Sequence, residues 1–179
     1  MTAPKPQKKR EEIIYQNRYG RIYSQEVDFG SFTKEYCVMD FGDKAGLVVM
    51  KDDSILFVRQ YRLLINQLSW EIPGGKVDEK ETPQESAVRE CFEETGIKCR
   101  NLKPLLNYHQ TLEGVNAFTY LFYCRDFNDT HQFVPDHKEV ESIEWIPSQQ
   151  CFEMIKEGKI LDSFSILALL AYRTFVEQK

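Results

Sequence analysis

No apolar run in the chain approaches the ~18 residues needed to cross a bilayer. The first ten residues, Met1 to Arg10, are polar and basic and lack the apolar stretch of a secretory signal. Cysteine is scarce and badly placed for cross-linking: five residues, an odd number with no Cys-x-x-Cys pair, exclude a disulfide framework and a zinc ribbon. The three histidines, His109, His131 and His137, have no metal-site spacing either. Net positive charge is missing as well. With 23 Lys and Arg against 28 Asp and Glu, the formal charge is -5, so the body repels polyanions and no nucleic-acid partner is expected. The basic run Lys5 to Arg10 reads as a short disordered, solubilising tail. No repeat or low-complexity tract is found. A soluble cytoplasmic protein with no membrane partner is therefore expected.

What is present is a core. Over 179 residues, 42% are hydrophobic and 28% charged, enough for one globular domain and cramped for two. Glu11 to Phe41 alternates aromatic and β-branched residues and predicts two or three strands. Gly46 to Met50 and Ile55 to Arg59 flank Asp52-Asp53-Ser54 and predict a hairpin. Further strands are expected near Leu105 to Gln110, Ala117 to Cys124 and Val140 to Ile146. Helices are expected from Ser148 to Glu157, stopped by Gly158, and after Asp162 as N-cap. Strands interleaved with helices indicate an α/β protein, an α/β/α sandwich on a mixed sheet.

The most informative stretch is Gly75 to Ile97. Thr82 is placed as an N-cap, Pro83 as the first helical residue, Glu85 as the capping-box partner and Gly96 as the stop. On that helix Glu90, Glu93 and Glu94 stand at i, i+3 and i+4. Ala87, Val88, Cys91 and Phe92 are expected to form the apolar stripe on the largely opposite side. Like charges about 4 Å apart repel by roughly 4 kcal/mol at an effective dielectric near 20, whereas favourable pairs on a helix contribute tenths. Two readings follow: a solvated acidic face, or a surface for a hard divalent cation, Mg²⁺ or Mn²⁺, which oxygen ligands favour.

The full spacing, Gly75-x5-Glu81-x7-Arg89-Glu90-Cys91-x-Glu93-Glu94-x-Gly96-Ile97, resembles the signature of the Nudix hydrolases at every fixed polar position. Cys91, where that pattern usually has a larger aliphatic residue, is its one soft departure. The resemblance covers roughly Gly42 onward and implies a Nudix-type sandwich. Residues 1–41 then form an N-terminal tail and antiparallel strand layer that pairs two copies, and 42–179 the hydrolase domain. It implies metal-dependent hydrolysis of a nucleoside diphosphate linked to a further group. Glu90 and Glu94 are then the principal metal ligands, Glu93 supports them or binds a further ion, and the Gly74 carbonyl is a backbone ligand. Glu81 and Arg89 form an ion-paired brace that orients the carboxylates. Glu139, in the acidic loop Asp136 to Glu141, is the expected general base.

Val58-Arg59-Gln60-Tyr61-Arg62, Trp70-Glu71-Ile72-Pro73-Gly74-Gly75 and Glu157-Gly158-Lys159-Ile160-x-Asp162 look like the ADP-ribose pyrophosphatase and nucleoside diphosphate sugar group. That likeness makes Arg62 a phosphate contact, with Arg59 a weaker candidate. It also makes the N-terminal strands a homodimer element whose rings, Phe29 among them, stack on a base. ADP-ribose-selective members usually carry a proline about fifteen residues past the signature. Leu112 stands there, so ADP-ribose preference does not follow, and Glu113 beside it faces either sugar hydroxyls or solvent. The alternatives are a nucleoside triphosphate or dinucleoside polyphosphate hydrolase and a catalytically silent nucleotide-sugar-binding module. The complete set of signature carboxylates speaks against the silent module.

Overall fold

The computed structural model describes residues 5–129 and 140–177. In chain order the elements are β1 (Gln7–Gln16), β2 (Arg21–Asp28), β3 (Thr33–Asp40), β4 (Lys44–Lys51), β5 (Ser54–Arg62), β6 (Gln67–Glu71), β7 (Gly74–Lys76) and α1 (Pro83–Thr95). They continue with β8 (Ile97–Arg100), β9 (Lys103–His109), β10 (Val115–Asn116), β11 (Phe118–Cys124), β12 (Asp126–Asp129), β13 (Val140–Pro147), α2 (Ser148–Lys156) and α3 (Ser163–Tyr172). The contacts divide these into two compact units, one running to Asp43 and including Tyr108–Thr119, the other made of the remainder.

In the first unit β1, β2 and β3 form an antiparallel meander, and β10 adds to β3 in parallel. The expected disordered basic tail is not found. β1 begins at Gln7 and includes the basic run, with Lys8 paired to Val27 of β2 and Lys9 and Arg10 in a bulge before the pairing resumes at Glu11. Gln25 Nε2 donates to the Arg10 carbonyl at 3.0 Å, and Lys9 lies 3.4 Å from Asp28. Backbone pairing and opposite charge across the strands outweigh the polarity of the run.

The second unit is built on a sheet ordered β13-β5-β4-β11-β9, with β6 on β5 and β7 on β4. Strand parity explains its layers. Ala45, Leu47 and Val49 of β4 join Ala87 and Cys91 of α1 in one buried cluster. Gly46, one residue out of phase, faces α3: a Cβ there would meet the Phe164 ring at 2.0 Å. Helices therefore cover both faces of the strand, as the α/β/α expectation requires. Burying each large aliphatic side chain contributes about 1.5 to 3 kcal/mol, and Leu47, Val49 and Leu56 are fully buried.

The β4–β5 hairpin turns at Asp52, which takes a positive φ of 52°. The sequence reading overlooked the pair β8–β12, whose Ile97 and Cys99 alternate inward against exposed Lys98 and Arg100. Glu139 lies outside the described residues.

Candidate active site

Local chemistry sets α1 first. Thr82 Oγ1 accepts from the Glu85 N–H at 3.3 Å while Glu85 Oε2 accepts from the Thr82 N–H at 2.8 Å. At the other end Gly96, with φ 72°, closes the helix by donating its N–H to the Phe92 carbonyl. The buried stripe comprises Ser86, Ala87, Cys91 and Thr95. Phe92, expected in that stripe, is 36% exposed. The three glutamates do not stand together opposite the core. Glu90 and Glu94 follow Ser86 at i+4 and i+8 and turn inward, whereas Glu93 follows Arg89 at i+4 and turns outward.

The inward pair meets a glycine edge. β7 pairs with β4 through Gly74 opposite Gly46 and Gly75 opposite Ala45. A Cβ on Gly75 would lie 2.5 Å from Glu90 Cδ, and one on Gly74 would lie 2.5 Å from the Ala45 carbonyl oxygen. Glycine at 75 leaves that space to the Glu90 carboxylate, and glycine at 74 lets β7 lie close against the β4 backbone. The Gly74 N–H donates to Glu94 Oε2 at 3.0 Å.

Charges divide unequally here. Arg89 Nε donates to Glu81 at 2.8 Å, and its Nη1 donates to Glu90 at 2.8 Å and to Glu93 at 3.0 Å. The guanidinium thus offsets three of the four signature carboxylates: Glu81, its expected brace partner, and also Glu90 and Glu93. Hydrogen bonding to Glu81 holds Arg89 well above its usual range, and the same bond keeps Glu81 low. Burial pushes Glu90 up against the pull of Arg89. Burial pushes Glu94 up to about 8, opposed by the Gly74 N–H and reinforced by the charges of Glu90 and Glu71.

These groups open on a cleft of about 320 Å³. Its opposite wall is Arg62 on β5, held by Glu71 on β6. Lys44, Lys76, Gln60 and Asp162 complete the lining. The sequence reading quoted Gln60, Glu71 and Asp162 within its motifs but gave them no role in the site, and it passed over Lys44 and Lys76. Their signal was strand parity, since Gln60 and Arg62 are two residues apart, as are Ser69 and Glu71. Arg59 has the other parity and stacks its guanidinium over Trp70 at 5.0 Å. Phe29 and Glu113 belong to the first unit. Phe29 stacks on Phe32 at 4.7 Å, and Glu113 is exposed in a loop where its N–H donates to Thr111 Oγ1.

Among the described residues no three His, Cys, Asp or Glu side chains form a ready metal cage. Two half-buried carboxylates on a glycine edge still fit a hard divalent ion, which keeps several waters and takes one or two carboxylates plus substrate phosphate. Burial is the main cause of the rise of Glu94, and the charge of Arg62 across the cleft offsets it only in part.

The NUDIX domain model matches residues 40–164. The chain is similar to a CMP-5'-(N-acetyl-N-hydroxy-3-aminopropyl)phosphonate hydrolase of Streptomyces rubellomurinus, at 28% identity over 90% of this chain and 79% of that one. It is also similar to an ADP-ribose pyrophosphatase of Bacillus subtilis, at 22% identity over 88% of this chain and 87% of that one. The crystal structure of an ADP compounds hydrolase shares the fold with a TM-score of 0.83, at 16% identity, covering 99% of this chain and 97% of that one. With its signature helix, glycine edge and carboxylates in place, the chain belongs to the NUDIX domain family and is a pyrophosphohydrolase of that family.

Proposed function

We propose that the protein hydrolyses the diphosphate bond of a nucleoside diphosphate joined to a further group, first of all a sugar, giving a nucleoside monophosphate and a sugar phosphate. The observation that carries this reading is the single cleft in which Glu90 and Glu94 face Arg62. Glu90 and Glu94 would hold Mg²⁺ or Mn²⁺, with the Gly74 carbonyl, and with Glu93 in support or on a further ion. When bound, the cation supplies Lewis acidity: it offsets the phosphate charge that carboxylates repel and makes water easier to deprotonate. Arg89 and Glu81 fix the direction of Glu90. Arg62 presents N–H groups to a phosphate oxygen. The Gly74 N–H orients Glu94, and Glu139 takes the proton of the attacking water.

Relatives named for a CMP conjugate and for ADP-ribose support a nucleotide joined to a second group. Incubation with Mg²⁺ and ADP-ribose, GDP-mannose, UDP-glucose, NADH or dGTP, followed by chromatography, tests the reading. Monophosphate plus sugar phosphate is the expected result. Inorganic pyrophosphate released from dGTP alone refutes it in favour of triphosphate hydrolysis.

The working form is a homodimer. Ile13, Ile14 and Tyr15 on β1 are 51%, 61% and 57% exposed, an apolar strand that a second copy would cover. In that dimer Phe29 is offered to a nucleobase and Glu113 to the sugar hydroxyls. Five free thiols suit the reducing cytoplasm. Light scattering on the eluting protein should give twice the chain mass.

A further inference from the structure

Two arginines border the carboxylates, and each is committed to different acids. Arg89 is taken up by Glu81, Glu90 and Glu93. Arg62 is clamped from β6, where Nε donates to Glu71 Oε1 at 2.8 Å and Nη2 to Glu71 Oε2 at 2.5 Å. Glu71 is only 6% exposed, and Gln60 Nε2 donates to the same carboxylate at 3.1 Å. A buried carboxylate engaged through both oxygens has one orientation, and a planar guanidinium gripped along its Nε–Nη2 edge inherits it. Among the described residues Nη1 has no hydrogen-bond partner, which leaves that edge for a ligand.

Glu94 is the contrast. It lines the same cleft and feels the charge of Arg62. Among the described residues, however, the donor it receives is the Gly74 N–H. An unclamped Arg62 would find there a half-buried carboxylate with no cationic partner, and a charge-assisted pair would form. Such a pair would cancel the charge a metal ion needs and withdraw the guanidinium a phosphate needs.

We propose that Glu71 is a positioning residue that holds Arg62 away from Glu94, so that the cleft can carry a divalent cation on its carboxylates and a substrate phosphate on its arginine together. This rests on the reading of the cleft given under Proposed function.

Mn²⁺ binding to the full-length protein without substrate, followed by electron paramagnetic resonance, tests the separation directly. Glu71→Gln should weaken Mn²⁺ binding about tenfold, the size of effect that groups around a metal site have, because the released guanidinium competes for Glu94. Arg62→Met should bind Mn²⁺ no more weakly than the wild type. The double variant Arg62→Met/Glu71→Gln should recover wild-type affinity, since the competing guanidinium is gone, while its KM for a nucleoside diphosphate sugar stays raised. Unchanged Mn²⁺ affinity in Glu71→Gln overturns the proposal. So does a double variant that binds Mn²⁺ less tightly than the wild type, which would mark Glu71 as structural. Thermal melts establish that each variant is folded, and if Glu71→Gln is not, the double variant decides. A wild-type protein that binds no Mn²⁺ overturns the reading of the cleft itself, an outcome separate from the others.

Discussion

Gly75 lies directly against Glu90: a methyl group at its Cα would sit 2.5 Å from the carboxyl carbon and 2.6 and 2.7 Å from the two oxygens. Gly75→Ala should therefore displace Glu90 without disturbing the hydrophobic core. A misplacement of about 1 Å typically costs about 10²-fold in rate. The expected result is a fall in kcat/KM of that order with a nearly unchanged melting temperature, read by steady-state kinetics and calorimetry on one preparation.

Glu94→Gln should abolish turnover while leaving the metal-free protein as stable as the wild type or more so. The amide keeps the shape and removes a charge that burial opposes. Urea denaturation in the presence of a chelator, beside a turnover assay in Mg²⁺, measures both. Appreciable turnover would remove Glu94 from the ligand set.

Glu139→Gln should lower kcat by about 10²-fold or more, as loss of a general base does, with Mn²⁺ affinity unchanged. A parallel loss of Mn²⁺ binding would make Glu139 a metal ligand instead. Full activity would move the base elsewhere.

In the first unit, Asp40 ties β3 to its neighbours. Burial raises its carboxyl, but hydrogen bonds from the Gly42 N–H, Asn116 and Arg21 prevail and hold it below the usual range. A carboxylate lowered in the folded state contributes stability above its unfolded pKa and loses it as pH falls through the folded value. The strand meander should loosen below the ordinary carboxylate range, and Asp40→Asn should flatten that acid limb while lowering stability near neutrality. Circular dichroism across an acid titration reports the difference.

Much of this protein was legible along the chain because the signals were local. The capping box from Thr82 to Glu85, the left-handed Gly96 and the hairpin turn at Asp52-Asp53 depend on residues within four positions of one another. Strand alternation placed β5 and β11. The failures were also physical. Phe92 belonged to a plausible stripe until packing gave the buried side to Ser86, Ala87, Cys91 and Thr95 and left its ring 36% exposed. The basic run before Glu11 was judged by its polarity, whereas β2 supplied a partner strand.

The sequence by itself determined the helix and its caps, the spacing of the signature carboxylates and the glycines near them, since a periodic pattern and a turn residue carry their own geometry. Only the tertiary structure decided that Arg89 also takes Glu90 and Glu93, that Gly75 makes room for Glu90, and that Glu71 clamps Arg62. These contacts join side chains from different elements, and their directions are fixed by strand register and helix packing, which no short window of sequence contains.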